Sequence, residues 1–376
     1  MSPFQHQGGR QIMLFSSANA AHDIGSQIGK LNMLLTNPAS INDENAGFSL
    51  PVVDLGGLRS GDEAARSNVV SAIRAACLDK GFFYCVGHGV SPDLVARVFD
   101  CSKRFFALPM EEKLKLSMSQ SKANRGYEPL RGQTLEAGAP PDLKEGYYIG
   151  MEVDANDERS KRFFNTGPNV WPHHIDEFRE VMSEYYDDMR ELTSYLLEGI
   201  ALSLRLDASF FHALEVDPIA TLRLLHYPVQ PANPLPNEKG CGAHTDFGGI
   251  TILLQDNVGG LQVWDHTRNI WLEAPPMPGA FVINLGDLIG RWTNDKYRST
   301  IHRVINESGQ ERYSVPFFFL GNPQQRVECI SSCLVPDEDP KYTSVTVDEH
   351  IRERYSTTYN RDIGIPNPVI GLAVRG

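Results

Sequence analysis

Residues 243–264 read AHTDFGGITILLQDNVGGLQVW. Two short runs of mainly apolar residues, 250–255 and 261–264, are separated by an Asn and a pair of glycines, which is typical of strands joined by a turn. The same pattern of short apolar runs and turn residues continues on both sides, with further runs at 221–227, 270–273, 280–285, 302–305 and 313–320. Many short strands without intervening helices predict an antiparallel sandwich or barrel, and a double-sheet jelly roll fits this pattern.

The parts of the chain around this strand-rich core predict supporting helices. Apolar residues recur at helical spacing in 63–80 and 171–206, and 92–107 and the polar segment 346–359 are two further predicted helices. Two short strands, 50–55 and 81–86, precede the core. We therefore expect a mixed α/β chain with a mainly β core. Its predicted divisions are a disordered tail at 1–47, an N-terminal helical and strand region at 48–217, the jelly-roll catalytic core at 218–330, and a C-terminal helix and tail at 331–376.

Composition limits the class of protein. The chain has 376 residues, of which 41% are hydrophobic and 22% are charged, so it is not a disordered chain or a small disulfide scaffold. A net charge of −12 argues against a nucleic-acid or anionic-membrane partner. No segment has the length of a membrane span or the pattern of a secretory signal. We expect a cytoplasmic protein that is a monomer or a weak homodimer.

His244 and Asp246 form the first chemical motif. Positions i and i+2 of an extended segment point to the same side, so this imidazole and this carboxylate can reach one metal ion. His302 opens a later strand-like run and supplies a third ligand. Two histidines and one carboxylate leave coordination positions open, as non-haem Fe(II) requires. From the residues alone zinc also fits the site.

Arg312 and Ser314 form the second motif, ten residues after His302. They share one face of a strand by the same period-two rule. A guanidinium binds a carboxylate with two parallel hydrogen bonds, and a neighbouring hydroxyl adds a further donor. The pair therefore predicts a carboxylate receptor on a strand next to the metal site.

Together these motifs resemble the iron(II)/2-oxoglutarate-dependent dioxygenase superfamily, in its isopenicillin N synthase-like branch. Further segments that match the family's pattern are 50–55, 81–90, 105–113, 125–127 and 142–145. The resemblance implies a double-stranded β-helix, Fe(II) bound by His244, Asp246 and His302, and 2-oxoglutarate and O₂ as co-substrates. It also implies that Tyr227 joins Arg312 and Ser314 at the oxoacid. Leu225 stands where the family usually has Asn.

The implied reaction is oxidation of an unactivated C–H bond of a small organic substrate, with decarboxylation of 2-oxoglutarate to succinate and CO₂. Hydroxylation, desaturation and ring formation or rearrangement all remain open, and specialised metabolite biosynthesis is the expected setting. Three alternatives stand beside it: an oxidase of the isopenicillin N synthase type that needs no oxoacid, a zinc hydrolase, and a cupin-like metal-binding protein. The candidate substrate-pocket residues are Tyr127, Phe247, Asn284, Phe317 and Phe318. The C-terminal helix is expected to cover the mouth of the barrel.

Overall fold

A computed structural model of the protein describes residues 50–359, with side chains up to 356. The predicted tail at 1–47 lies outside the described residues. The strands are β1 Val52–Asp54, β2 Phe82–Val86, β3 Gly126–Glu128, β4 Glu145–Gly150, β5 Ile219–Tyr227, β6 Cys241–His244, β7 Ile250–Gln255, β8 Leu261–Asp265, β9 Ile270–Glu273, β10 Phe281–Leu285, β11 His302–Val304, β12 Arg312–Gly321, β13 Arg326–Val327 and β14 Val345–Thr346. The α-helices are α1 Gly56–Arg59, α2 Glu63–Asp79, α3 Pro92–Phe106, α4 Met110–Lys115, α5 Glu158–Arg162, α6 Phe178–Ser203, α7 Asp287–Trp292 and α8 Val347–Tyr359.

Two sheets build the core. The larger has eight strands in the order β1-β2-β10-β7-β12-β5-β4-β3, and the smaller has four in the order β6-β11-β8-β9. Apolar residues of both sheets, among them Leu225, Val282, Leu261 and Val304, pack in one buried cluster between them. This is the double-stranded β-helix, so the predicted jelly roll is confirmed. Strands from 48–217 flank those from 218–330 on both sides of the larger sheet, so these two segments form one folding unit.

The outer face of the larger sheet is covered by helices. Leu222, Leu224 and Phe317 are fully buried in the same cluster as the apolar face of α6. Tyr186 on that helix meets Phe317 of β12 edge to face, with ring centroids 5.3 Å apart. This packing leaves the opposite, inner face of the sheet to form the site.

The long helix α6 is shorter than the predicted helix at 171–206. Glu177 has φ of 62° and Arg205 also has φ of 62°, so each adopts the left-handed conformation and interrupts the helix on its side. At the C-terminal end the Leu206 N–H bonds the Ala201 carbonyl at 3.0 Å, which closes the last turn. Within residues 50–359, no helix has the length and apolar character needed to cross a membrane.

Candidate active site

His244, Asp246 and His302 meet at one end of the smaller sheet. β6 and β11 are antiparallel neighbours, and His302 is the direct cross-strand partner of His244. Asp246 follows β6 by two residues. Its Oδ1 lies 3.6 Å from His244 Nε2 and 3.7 Å from His302 Nε2. The three potential ligand atoms all lie within 4.8 Å of one another, close enough to bind one ion.

Backbone carbonyls fix the tautomer of both imidazoles. His244 Nδ1 lies 2.8 Å from the Gly242 carbonyl, and His302 Nδ1 lies 3.1 Å from the Thr300 carbonyl. A carbonyl only accepts, so each Nδ1 carries a proton, and Nε2 is the nitrogen that faces Asp246 and is available to a metal ion. The two rings are thus oriented as metal ligands.

Asp246 is prepared in a similar way. Its Oδ2 accepts hydrogen bonds from Thr251 Oγ1 at 2.6 Å and Asn284 Nδ2 at 2.7 Å, which leaves Oδ1 facing the imidazoles. Burial alone would raise the pKa of Asp246, but the imidazoles of His302 and His244 hold it well below its usual range. Burial and the neighbouring His244 lower the pKa of His302 to about 4. Two imidazoles and an ionised carboxylate fit Fe(II) and leave positions for further ligands.

A buried cavity extends from these residues between the two sheets, with a total empty volume of about 530 Å³. Arg312, at the start of β12, is fully buried in its wall. Its guanidinium bonds only neutral groups among the described residues, Ser314 Oγ at 3.1 Å and Gln255 Oε1 at 3.4 Å, and its Nε is without a hydrogen-bond partner there. A buried cation without a carboxylate partner is costly, so this cavity is suited to an anionic ligand.

Tyr227 and Leu225 complete this cavity. Both are buried, and they lie opposite Arg312 and Ser314 respectively in the register of β5 and β12. The Arg312 guanidinium lies over the Tyr227 ring, 4.7 Å from its centroid. Leu225 contributes an apolar wall at the position where the family usually has Asn.

A second cavity, with a total empty volume of about 570 Å³, adjoins the first at His244 and Asp246, and Leu135, Arg223 and Phe318 also line both cavities. Besides the two metal ligands, four aromatic residues, three polar residues and two leucines line it. The aromatic residues are Tyr148, Phe247, Phe318 and Tyr355, and the polar residues are Gln133, Thr221 and Arg223.

The charge in the wall of this second cavity is compensated. Arg223 forms a buried ion pair with Glu128 and donates a hydrogen bond to Gln133 Oε1 at 3.1 Å. The Tyr148 hydroxyl donates to Glu128 at 3.2 Å, and the guanidinium lies 4.4 Å from the Tyr148 ring centroid. Arg223 therefore contributes a polar surface without an excess of charge, in contrast to Arg312.

Helix α8 packs against the segment that follows β6. His350 Nε2 lies 3.1 Å from the Phe247 carbonyl, and Arg354 donates to Thr245 Oγ1 at 3.3 Å. Tyr355 of the same helix lines the second cavity and packs against Phe247, with ring centroids 6.0 Å apart. The C-terminal helix therefore contributes directly to the wall of the site.

The five predicted substrate-pocket residues fall in different places. Phe247 lines the second cavity, Phe318 lines both cavities, and Asn284 lines the first and bonds Asp246. Tyr127 differs from the prediction because β3 turns it outward, where its hydroxyl donates to Glu145 at 2.5 Å. Phe317 also differs, because adjacent residues of a strand alternate and it points away from Phe318 into the helices.

Sequence reasoning missed several residues of the site. Arg223 and Tyr148 were not singled out, nor was the buried Lys144, which lines the first cavity. One signal was available: Arg223 and Leu225 share the period-two face of Tyr227. Tyr148 and Lys144 belong to β4 and the residue before it, and only the long-range pairing of β4 with β5 places them in the site.

Two family models match the chain. The model described as the non-haem dioxygenase in morphine synthesis N-terminal matches residues 50–174, and the 2OG-Fe(II) oxygenase superfamily model matches residues 218–321. The chain belongs to the 2OG-Fe(II) oxygenase superfamily. It is an Fe(II)/2-oxoglutarate-dependent dioxygenase, with O₂ as the other co-substrate, and not a zinc hydrolase or a cupin-like metal-binding protein.

Individual proteins agree with this assignment. The 2-oxoglutarate-Fe(II) type oxidoreductase hxnY of Emericella nidulans is 47% identical over 83% of this chain and 90% of its own length. Clavatol oxidase claD of Penicillium crustosum is 36% identical over 84% of this chain and 98% of its own length. A full-length Neurospora crassa protein, crystallised in complex with alpha-KG (2-oxoglutarate) and thymine, is 30% identical, has a TM-score of 0.73, and covers 85% of this chain and 99% of that one.

Proposed function

We propose that the protein oxidises a C–H bond of a small, planar and uncharged aromatic or heterocyclic compound, in specialised metabolism. The observation that carries this proposal is the second cavity, in which four aromatic rings surround a charge-compensated polar wall directly beside His244 and Asp246. Flat aromatic walls favour a planar guest, since ring stacking adds to the gain from apolar burial.

The polar wall supports an uncharged guest. Glu128 balances Arg223, so a second carboxylate brought by the substrate would meet a site whose cation is already paired. A carbonyl, phenol or amide group needs only hydrogen bonds, which Gln133 and the Arg223 guanidinium can exchange with it. The Neurospora crassa structure with bound thymine, a planar uncharged heterocycle, supports the same class.

We assign the first cavity to the co-substrate. His244, Asp246 and His302 would hold Fe(II), which when bound would let O₂ act as the oxidant for C–H cleavage, with 2-oxoglutarate as the two-electron donor that becomes succinate and CO₂. Arg312, Ser314 and Tyr227 would hold the distal carboxylate of the oxoacid, where Arg312 has no counter-ion among the described residues. Helix α8 would exclude water from the substrate side through Tyr355.

A matched substrate panel tests the proposed class. Each methyl-substituted aromatic or heterocyclic compound is paired with its saturated-ring analogue and with its carboxylated analogue. Succinate release and product mass are measured for every member with Fe(II), 2-oxoglutarate and O₂. We expect oxidised product from the planar uncharged members, with about one succinate per product. Equal turnover of the saturated or carboxylated members would overturn the proposed substrate class.

Variants of the cavity wall distinguish a specific effect on substrate binding from a general loss of activity. Phe247→Leu removes a ring that lines the second cavity and not the first, and should raise the KM for the aromatic substrate without changing the KM for 2-oxoglutarate. Phe319→Leu is the matched control, because Phe319 is buried in the core cluster behind the sheet, and it should leave both KM values unchanged.

A further inference from the structure

A buried ion pair holds the free edge of β6, the strand that ends at His244. β6 is an outer strand of the smaller sheet, with β11 on one side only. On its other side the Gly242 N–H donates to Asp142 Oδ1 at 2.8 Å, and the second oxygen of Asp142 pairs with Lys144. Both side chains are almost completely buried.

A second ion pair does the same one residue further along. The Ala243 N–H donates to Glu136 Oε2 at 2.8 Å, and Glu136 pairs with Lys239 at 3.1 Å. The two lysines therefore have the same structural task, since each balances a carboxylate that holds a backbone N–H of β6.

The two lysines differ in their surroundings. Lys144 lines the oxoacid cavity together with Arg312 and Tyr227, whereas Lys239 does not. Glu145 is the cross-strand partner of His226, so Lys144 is level with Tyr227, whose partner on the other side is Arg312. Lys144, Tyr227 and Arg312 thus stand in one row across the inner face of the larger sheet.

The geometry points to Lys144 as a second cationic contact for the distal carboxylate of 2-oxoglutarate, beside Arg312. An ammonium group has three donors, and the only hydrogen bond of the Lys144 ammonium to another described residue uses one of them, on Asp142. Asp142 balances the ammonium when the cavity contains no oxoacid, whereas Arg312 has no such partner among the described residues. Arg312 therefore needs the ligand carboxylate as its counter-charge, whereas Lys144 adds a hydrogen bond to a carboxylate without depending on it for charge balance.

Leu225 explains why a polar contact from Lys144 to the oxoacid is needed. Its side chain forms the cavity wall between the Tyr227 row and Arg223, and it offers no hydrogen bond to a bound oxoacid. A donor from the neighbouring strand at Lys144 supplies polar contact that this wall lacks.

The inference rests on the proposed placement of the oxoacid, and a binding experiment separates the two. 2-Oxoglutarate and 2-oxovalerate share the chelating 2-oxo acid end and differ at C5, where a carboxylate replaces a methyl group. Dissociation constants of both are measured by calorimetry on Fe(II)-loaded protein without O₂, so no organic substrate is needed. The ratio of the two constants reports on the distal carboxylate alone.

Charge-neutral double variants isolate the lysine. Lys144→Met/Asp142→Asn removes the pair while Asn can still accept the Gly242 N–H, and Lys239→Met/Glu136→Gln is the matched control. We expect the Lys144 variant to reduce the preference for 2-oxoglutarate by about tenfold, as loss of one charged hydrogen bond would. The control should retain the wild-type ratio. If the Lys144 double variant does not fold, Lys144→Gln, whose amide can still donate to Asp142, gives the same comparison.

The outcomes distinguish the two assignments. A wild-type ratio in the Lys144 variant, with a reduced ratio in Arg312→Met, would overturn the role of Lys144 and leave the oxoacid placement intact. A wild-type ratio in Arg312→Met would overturn the placement itself. An equal reduction in the Lys144 and Lys239 variants would assign the effect to the geometry of β6 and also overturn the inference.

Discussion

The two faces of β5 and β12 both bury charge, but they treat it differently. On the outer face, Glu145 of the neighbouring β4 accepts from His226 at 2.7 Å, from Lys113 at 2.8 Å and from Tyr127 at 2.5 Å. On the inner face, the Arg312 guanidinium has neutral partners only among the described residues. A buried charge without a counter-charge in the chain, such as Arg312, indicates a ligand, whereas Glu145 needs no ligand to balance it.

The largest effect is expected from the inner face at the metal site. Asp246→Ala removes the only carboxylate among the three ligands, so two neutral imidazoles remain for a divalent ion. We expect activity to fall below detection and Fe(II) binding to be lost, while the cooperative unfolding transition persists. Turnover assays, metal content after dialysis and thermal unfolding followed by circular dichroism measure these three properties. A variant that retains both iron and turnover would contradict the assigned ligand set.

The neighbouring residues Phe317 and Phe318 compare the two faces through their apolar side chains, because one ring is packed in the core and the other borders a cavity. Phe317 is fully buried against α6, so Phe317→Ala should reduce the free energy of unfolding by about 3–5 kcal/mol. Phe318→Ala should reduce it less, because Phe318 borders a cavity, but should raise the KM for the organic substrate. Urea unfolding and steady-state kinetics measure both. Equal loss of stability in the two variants would contradict the division between the faces.

The outer cluster should appear in the pH dependence of stability. Burial alone would raise the pKa of Glu145, but hydrogen bonds from His226, Lys113 and Tyr127 outweigh it and lower the pKa. A carboxyl whose pKa is lower in the folded protein contributes stability above its unfolded pKa and loses it as the pH falls through the folded value.

Wild-type stability should therefore decrease below about pH 4.5, where an unfolded Glu takes up its proton. Glu145→Gln should be less stable than wild type at pH 7, and its stability should fall less steeply with acid. Unfolding free energies between pH 7 and pH 3 measure the difference. Parallel curves for the two proteins would show that Glu145 does not carry this charge effect.

Arg312→Lys should have a smaller and more selective effect. Lysine keeps the charge but loses the planar pair of donors, so the free energy of 2-oxoglutarate binding should become less favourable by about 1.5–3 kcal/mol, the contribution of one charged hydrogen bond. We expect the KM for 2-oxoglutarate to rise by roughly ten- to a hundredfold. Fe(II) affinity should be unchanged, since Arg312 contacts none of the metal ligands. A parallel loss of iron would place Arg312 in the support of the metal site.

The features that could be predicted from the sequence are those that depend on local residue spacing or on the family pattern. The short strands, the metal motif and the Arg-x-Ser pair all depend on spacings of two residues, and the family pattern supplied the fold around them. The same alternation separates Phe317 from Phe318. Lys144 and Tyr127 depend instead on the pairing of β3, β4 and β5, whose contacts span many residues and leave no local signal.

Tyr227→Phe is expected to have the smallest effect on the inner face. The Tyr227 hydroxyl can give the oxoacid one hydrogen bond, whereas Arg312 offers a charged fork, so removing the hydroxyl should raise the dissociation constant for 2-oxoglutarate by roughly two- to tenfold. The ring under the guanidinium remains, so stability should change little. His226→Gln is the control, because His226 is the preceding residue on the outer face and bonds Glu145. It should lower stability and leave oxoacid binding unchanged. If His226→Gln weakened binding as much as Tyr227→Phe, the two faces would be coupled through β5, and the alternation along this strand would not separate structure from ligand binding.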